Sequence, residues 1–290
     1  MKRKWSSLTV LLLMAALVLS GCTSSMKVAK AATKFGKAML EQPVTGATAE
    51  ISTGLRSDSF GIPADLRLRT VVHSAYDLED GRAFSDIDSS ISLQGVDIHQ
   101  SGQCYSSLTR GEFTSYMHLD NPDLWCRLDH IPSLTALDRT LVLELMETVS
   151  EDAVLELRES GAGGEYYTLS ACFDGEDVLS FLRNTDALPE NVLGNLSATG
   201  VRIPVEVDLE EKTFLPLRMQ INVEGISGEL SRKLSGLLSH YPELQDLDFE
   251  MGDISILITN FTYGEKTVAK LPMGAAENAL DLGKLQALSK

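Results

Sequence analysis

Apolar residues recur with a period of two along most of this chain, and helical spacing is confined to a few short stretches. Leu66, Leu68, Thr70 and Val72 alternate with Asp65, Arg67, Arg69 and Val71. Ala83, Ser85, Ile87, Ser89, Ile91 and Leu93 alternate with Phe84, Asp86, Asp88, Ser90 and Ser92. Glu79-Asp80-Gly81 between these runs is a turn signal. Val96 and Ile98 carry an irregular strand toward Ser106, and Arg110-Gly111 turns it into Phe113, Ser115, Met117 and Leu119. Asn121-Pro122-Asp123 turns again toward Trp125. The pattern predicts five or six antiparallel strands joined by short turns. They exceed the usual length of about five or six residues. Their inward positions mix Ser and Thr with Ile and Leu, which leaves more room than a close-packed sandwich core.

The second half mixes periods. Leu137, Leu141 and Leu145 space a helix over 133–149. Strands are expected at 153–158 and 164–173, around Gly161-Ala162-Gly163-Gly164, and a short amphipathic helix at 175–183. The clearest strands come next. Val201, Ile203, Val205, Val207 and Leu209 alternate with Arg202, Pro204, Glu206 and Asp208; Leu215, Leu217, Met219, Ile221 and Val223 alternate with Pro216, Arg218, Gln220 and Asn222. Glu210-Glu211-Lys212-Thr213 joins them as a hairpin loop. A helix near 227–240, a strand through Ile254, Ile256 and Ile258, and a helix over about 274–288 complete the series. Helices inserted among antiparallel strands imply an α+β fold, a strongly curved antiparallel sheet with helices packed on one side. No linker or repeat divides residues 26–290, so a single domain is expected.

The N-terminus carries a different message. Lys2, Arg3 and Lys4 precede the apolar run Leu8 to Leu19, and Leu19-Ser20-Gly21-Cys22 follows. A basic head, a short apolar run and small residues describe a secretory signal. The final four match the bacterial lipobox, in which cleavage leaves a diacylglyceryl cysteine first. Residues 1–21 are thus the expected lipoprotein signal peptide, Cys22 the lipidation site and 22–25 a tether. The alternatives are an ordinary signal peptide with a chance cysteine or a single anchor helix. The run is short for a membrane span. Residues 26–41 then place Lys27, Lys30, Lys34 and Lys37 on one helical face and Val28, Ala31, Phe35 and Met39 on the other. That basic face is either a solvated surface over a packed stripe or an attraction to anionic headgroups worth about 1 kcal/mol per Lys, and both can hold together.

Composition narrows the function classes. The 290 residues carry 25 Lys+Arg against 41 Asp+Glu, a net charge of −16, which argues against nucleic acid as partner. Gly-x-Ser-x-Gly, Ser-x-x-Lys, His-Glu-x-x-His and P-loop patterns do not occur. His73, His99, His118, His130 and His240 are scattered, and His118 is expected to meet solvent. Asp86 with Asp88, and Asp246 with Asp248, read as solvated strand faces, since a calcium loop needs more oxygen ligands. Cys126 and His130 alone make a weak metal pair. No enzyme, cofactor or metal is therefore expected. Cys104, Cys126 and Cys172 remain beside Cys22. If Cys104 and Cys126 lie on strands one and three of a meander, they stand roughly 9–10 Å apart. A disulfide needs about 7 Å or less, so three buried thiols are expected.

Taken together, the lipobox, the N-terminal helix and the aromatic-rich stretch Tyr116 to Trp125 form a recognisable order. The hairpin Ile203 to Met219, the strand Ile256 to Tyr263 and Leu271-Pro272 continue it. This order resembles the LolA/LolB-like superfamily of envelope lipoproteins, which includes the mycobacterial LppX/LprG group and Firmicutes-type lipoproteins. The resemblance implies an incomplete barrel, helices on its concave side, and an apolar cavity. It supplies no catalytic residue. The expected protein is monomeric and lipid-anchored on the extracytoplasmic face of the cell membrane. It would bind a lipid or acyl chain through Leu68, Val72, Ile87, Ile91, Met117, Val205, Val207, Met219 and Ile221. The alternatives are plain core packing of these residues and a sensing or protein-interaction role on the same fold with a filled core.

Overall fold

Helix α1 (Thr23–Leu40) begins the described chain of the computed structural model. That structure describes residues 23–42, 44–57, 64–77, 80–93, 96–109, 112–121, 123–129, 153–159, 164–184, 197–225, 228, 250–264 and 268–281. The expected signal peptide, Cys22 and the expected helix 133–149 lie outside them, as does the expected helix 227–240 apart from Gly228.

Strands β1 (Val44–Ser57), β2 (Ala64–Asp77), β3 (Arg82–Leu93), β4 (Val96–Thr109), β5 (Glu112–Asp120) and β6 (Asp123–Asp129) form an antiparallel meander, with each strand beside its sequence neighbours. Strands β7 (Val154–Glu159) and β8 (Glu165–Asp174) lead into helix α2 (Gly175–Asn184). Strands β9 (Arg202–Glu210) and β10 (Pro216–Val223) make the hairpin, and β11 (Glu250–Met251) and β12 (Ile254–Tyr263) follow. A short helix α3 (Ala275–Asn278) and β13 (Leu280–Asp281) end the described chain. The strands form one curved sheet in the order β13-β6-β5-β4-β3-β2-β1-β12-β10-β9-β8-β7, with β11 on β1. No ladder between β13 and β7 closes it into a barrel among the described residues.

The alternation read from the sequence fixes the register. Directly opposed residues share a sheet face. Leu68 faces Ile91 and Val72 faces Ile87; Ile91 faces Ile98; Met117 lies between Cys104 and Cys126. Ile51 faces Ile256, which faces Ile221, which faces Val205. Val207 lies between Met219 and Leu169. One apolar face therefore runs from β6 to β7. Its reverse carries Glu50, Arg69, Asp86, Glu206, Asp208 and Arg218. A β-bulge interrupts the β1–β12 ladder between Gly46 and Thr48. Asn260 takes the extra step on β12 at a φ of 53°. Gly46 pairs with Thr262 just beyond it, and a Cβ there would lie 2.6 Å from Thr262 Oγ1, so the tight pairing favours glycine.

Helix α1 docks on the apolar face at β8 and β9. Val28, Ala31 and Phe35 are buried with Leu169, Val207, Leu209 and Phe214, and Met39, Tyr167, Val205 and Met219 pack around them. The β9–β10 turn contributes Phe214 by holding it at a φ of 59°, a region unfavourable for a bulky residue. Its ring stacks on Tyr167 at 5.3 Å between centroids. At one end of the sheet, Leu179 of α2 is buried with Ala198 and Val201, against Ile203 and Val223.

The C-terminus departs from the expected helix over 274–288. Within the described residues it lasts for Ala275–Asn278 and stops at Ala279 in extended conformation, while residues 282–288 lie outside them. Leu280 and Asp281 then pair in parallel with Cys126 and Arg127 of β6. The open edge of β6 offers unpaired backbone groups, whereas a short exposed helix gains little from propensity alone. Reaching that edge from β12 means crossing six strands, about 30 Å at normal strand spacing.

Candidate ligand-binding face

All nine candidate residues fall on the single apolar face, but their surroundings divide them. Val207 is 4% exposed beneath α1, and Val205 and Met219 pack against the same cluster. Leu68, Val72, Ile87, Met117 and Ile221 are half-buried. Ile91 remains 37% exposed, and Ile98 opposite it 62%.

The face over β2–β5 is not uniformly apolar. Thr70 Oγ1 and Ser89 Oγ lie 3.0 Å apart, Ser85 donates to Ser74 at 3.3 Å, and the buried hydroxyls of Ser106 and Ser115 meet at 2.8 Å. Each pair joins neighbouring strands and satisfies its own polarity, so an apolar surface meets little unpaired hydrogen-bonding demand there. These side chains are also short, so the wall stands low between the Leu and Ile rows. Spacing predicted small inward residues, but it could not show that they bond to one another.

The cysteines are unbridged, as the meander geometry requires, but two of the three are half-buried rather than buried as expected. Cys104 on β4 and Cys126 on β6 flank Met117 of β5. All three described cysteines are free thiols, with Cys126 buried and Cys104 and Cys172 half-buried. Burial pushes the Cys104 thiol up, against the pull of its contact with Ser106.

Two cavities described in the structure open on the polar face instead. One of about 390 Å³ is lined by Arg82, Tyr105, Ser107, Tyr116 and the crossing segment Ala269–Leu271. The other, about 520 Å³, lies over the bulge beside Gly46, His73, Phe84 and Thr262. None of the nine candidate residues lines either cavity. His118 lies on the opposite face from Met117 and Leu119, as expected, and is partly exposed; its ring stacks on Trp125 at 4.7 Å, and its nitrogens reach the exposed Asp123 at 2.7 Å and Asp120 at 3.3 Å. The aromatic-rich stretch Tyr116 to Trp125 supplies His118 and Trp125, but spacing did not show that Tyr105 joins them and extends the cluster toward Phe84. Asp86 and Asp88 are exposed, as expected of a solvated face. Among the described residues, no cluster of three His, Cys, Asp or Glu could hold a metal ion. No described helix is long and apolar enough to cross a membrane.

No family model matches the chain, and no curated protein matches it. Among solved structures it is similar to a domain described as a putative outer membrane lipoprotein-sorting protein from Vibrio parahaemolyticus, at 10% identity and a TM-score of 0.29, covering 87% of this chain and 98% of that one. It is similar to a DUF1329 family protein from Desulfovibrio piger, at 12% identity and a TM-score of 0.23, covering 81% and 90%. A beta-barrel-like protein of DUF1849 from Brucella abortus follows at 10% identity and a TM-score of 0.25, covering 77% and 99%. At these scores the description of the fold rests on this chain's own strand order and register.

Proposed function

We propose that the chain is an exported envelope lipoprotein, anchored at Cys22 on the extracytoplasmic face of the membrane. In this reading it binds a lipid or acyl chain, without catalysis, on the part of its apolar face over β1–β5 and β12. The observation that carries the reading is the contrast within that face: α1 fills it over β8 and β9, whereas Ile91 and Ile98 stay exposed over β3 and β4. Leu68, Val72, Ile87, Ile91, Met117 and Ile221 supply the apolar contact, and Met117 adapts to an irregular chain. The paired hydroxyls among them cost a hydrocarbon ligand little. The lipobox and the basic-apolar N-terminus support export and anchoring.

The burial of Val207 under α1 favours a filled core for the remainder. If the whole face is filled in this way, a sensing or interaction role follows instead. Native mass spectrometry of the protein extracted from membranes separates the two. Co-purified lipid, displaced by a fluorescent fatty-acid probe and reduced in Ile91→Trp, is the expected result. A clean apo mass with no probe binding overturns the ligand reading.

A further inference from the structure

We propose that the exposed face of α1 is a docking surface for anionic lipid headgroups, one that sets how the anchored protein sits on its membrane. Lys27, Lys30, Lys34 and Lys37 are all exposed, while Val28, Ala31 and Phe35 on the opposite side are buried in the core. The helix is thus fixed in rotation, and its lysines cannot turn inward. It contains no Asp or Glu, although the whole chain has a net charge of −16. Lys34 sits over the Phe214 ring at 4.3 Å, and Lys37 forms a water-exposed 3.8 Å pair with Glu41. Lys27 and Lys30 stand nearest the anchor. From Lys27 to Lys37 the basic row runs about 15 Å at helical rise.

The occupant follows from charge and from the tether. At roughly 3.3–3.6 Å per extended residue, the few residues between Cys22 and Lys27 hold the start of α1 within about two Debye lengths of the bilayer. On the polar sheet face Glu50 pairs with Arg69, and Glu206 and Asp208 pair with Arg218, which leaves the exposed Asp86, Asp88 and Glu210 to be repelled by an anionic surface. Of the described elements, α1 is the one whose outer face is purely basic. Anchoring brings the body to the membrane, and α1 decides which side meets it. This inference rests on the lipidation proposed above and not on ligand binding.

Lysine footprinting tests it on the mature lipidated protein, reconstituted in vesicles of phosphatidylcholine alone or with phosphatidylglycerol. Amine acetylation is read residue by residue by mass spectrometry. Lys27 and Lys30 should label several-fold more slowly on the anionic vesicles, and 0.5 M salt should restore them, about the concentration at which screening is nearly complete. Exposed Lys212 and Lys270 should label alike throughout. Lys27→Gln with Lys30→Gln should abolish the remaining protection of Lys34 on anionic vesicles. Equal labelling on both vesicles overturns the proposal, as does protection that salt leaves unchanged. Protection by soluble polyphosphate, with none from anionic lipid, overturns it in favour of a soluble polyanion. Loss of membrane association in Cys22→Ala reports on the anchor separately, and fatty-acid probe binding reports on the ligand face.

Discussion

Val207→Phe and Ile91→Trp enlarge two residues on one sheet face that the structure surrounds differently, so their effects should diverge. Val207 is 4% exposed, enclosed by Val28, Ala31 and Phe35 of α1 and by Leu169 and Leu209 beside it. A phenyl ring there must displace the helix or leave its rotamer, and overpacking of this kind typically costs about 1–3 kcal/mol. For a domain of this size, with about 2–4 °C per kcal/mol, the melting temperature should fall by roughly 2–12 °C. Ile91 is 37% exposed. An indole there can extend over Leu68 and Ile98 without moving a covering element, so its effect should stay within about 0.5 kcal/mol. Thermal melts of both variants give the stability terms, and titration with a fluorescent fatty acid gives binding. The expected outcome is a destabilised Val207→Phe that still binds the probe, and a stable Ile91→Trp that binds it several-fold more weakly. A stable Val207→Phe together with a destabilised Ile91→Trp would refute the division of the face into a filled and an open part.

Two further outcomes follow from single contacts and a third from the lipobox pattern. Ser106→Ala or Ser115→Ala should each cost about 1–3 kcal/mol by leaving a buried hydroxyl unpaired. The double variant should cost clearly less than their sum, and additive losses in urea unfolding would show that the hydroxyls are not coupled. Tyr263 donates to the Pro216 carbonyl at 2.7 Å, and burial, helped by Glu210, pushes its phenol well above the ordinary value of 10.0. A raised folded pKa gives stability that is complete below pH 10 and is lost as pH rises beyond it. Tyr263→Phe should therefore lose about 1 kcal/mol at pH 8 and flatten the fall between pH 10 and 11; an unchanged slope there counts against the assignment. Cys22→Ala should release the protein from the membrane fraction or leave an uncleaved precursor, and an unchanged membrane-bound mature form would disprove lipidation.

Strand direction was the most legible part of the fold. Alternation alone put Leu68, Val72, Ile87, Ile91 and Met117 on one face of the first strands and Val205, Val207, Met219 and Ile221 on one face of the hairpin; that the two are one continuous face comes from the registers. The C-terminal crossing was not legible, because an exposed sheet edge six strands away leaves no mark on the sequence that pairs with it. Phe214 was not legible either: its left-handed backbone violates the residue preference that turn reading depends on.

Period also says which way a side chain points and nothing about what lies above it. The stripe Val28, Ala31 and Phe35 required an apolar partner, but every strand of the sheet offered one. Composition along the face held the missing information. Where α1 and α2 dock, the facing positions are large, with Leu169, Phe173, Val207 and Leu209 all buried. Over β2–β5 the corresponding rows alternate with Thr70, Ser74, Ser85, Ser89, Ser106 and Ser115, whose hydroxyls bond across strands. A helix seated on those rows would gain little apolar burial, since each hydroxyl pair removes area that would otherwise contribute about 25 cal/mol per Å². A flexible acyl chain can follow the Leu and Ile rows between them. Ser85, Ser106 and Ser115 are themselves 5% exposed or less, so the face lies open where Ile91 and Ile98 stand, and the proposed ligand would meet Leu68 and Ile91 rather than Val207.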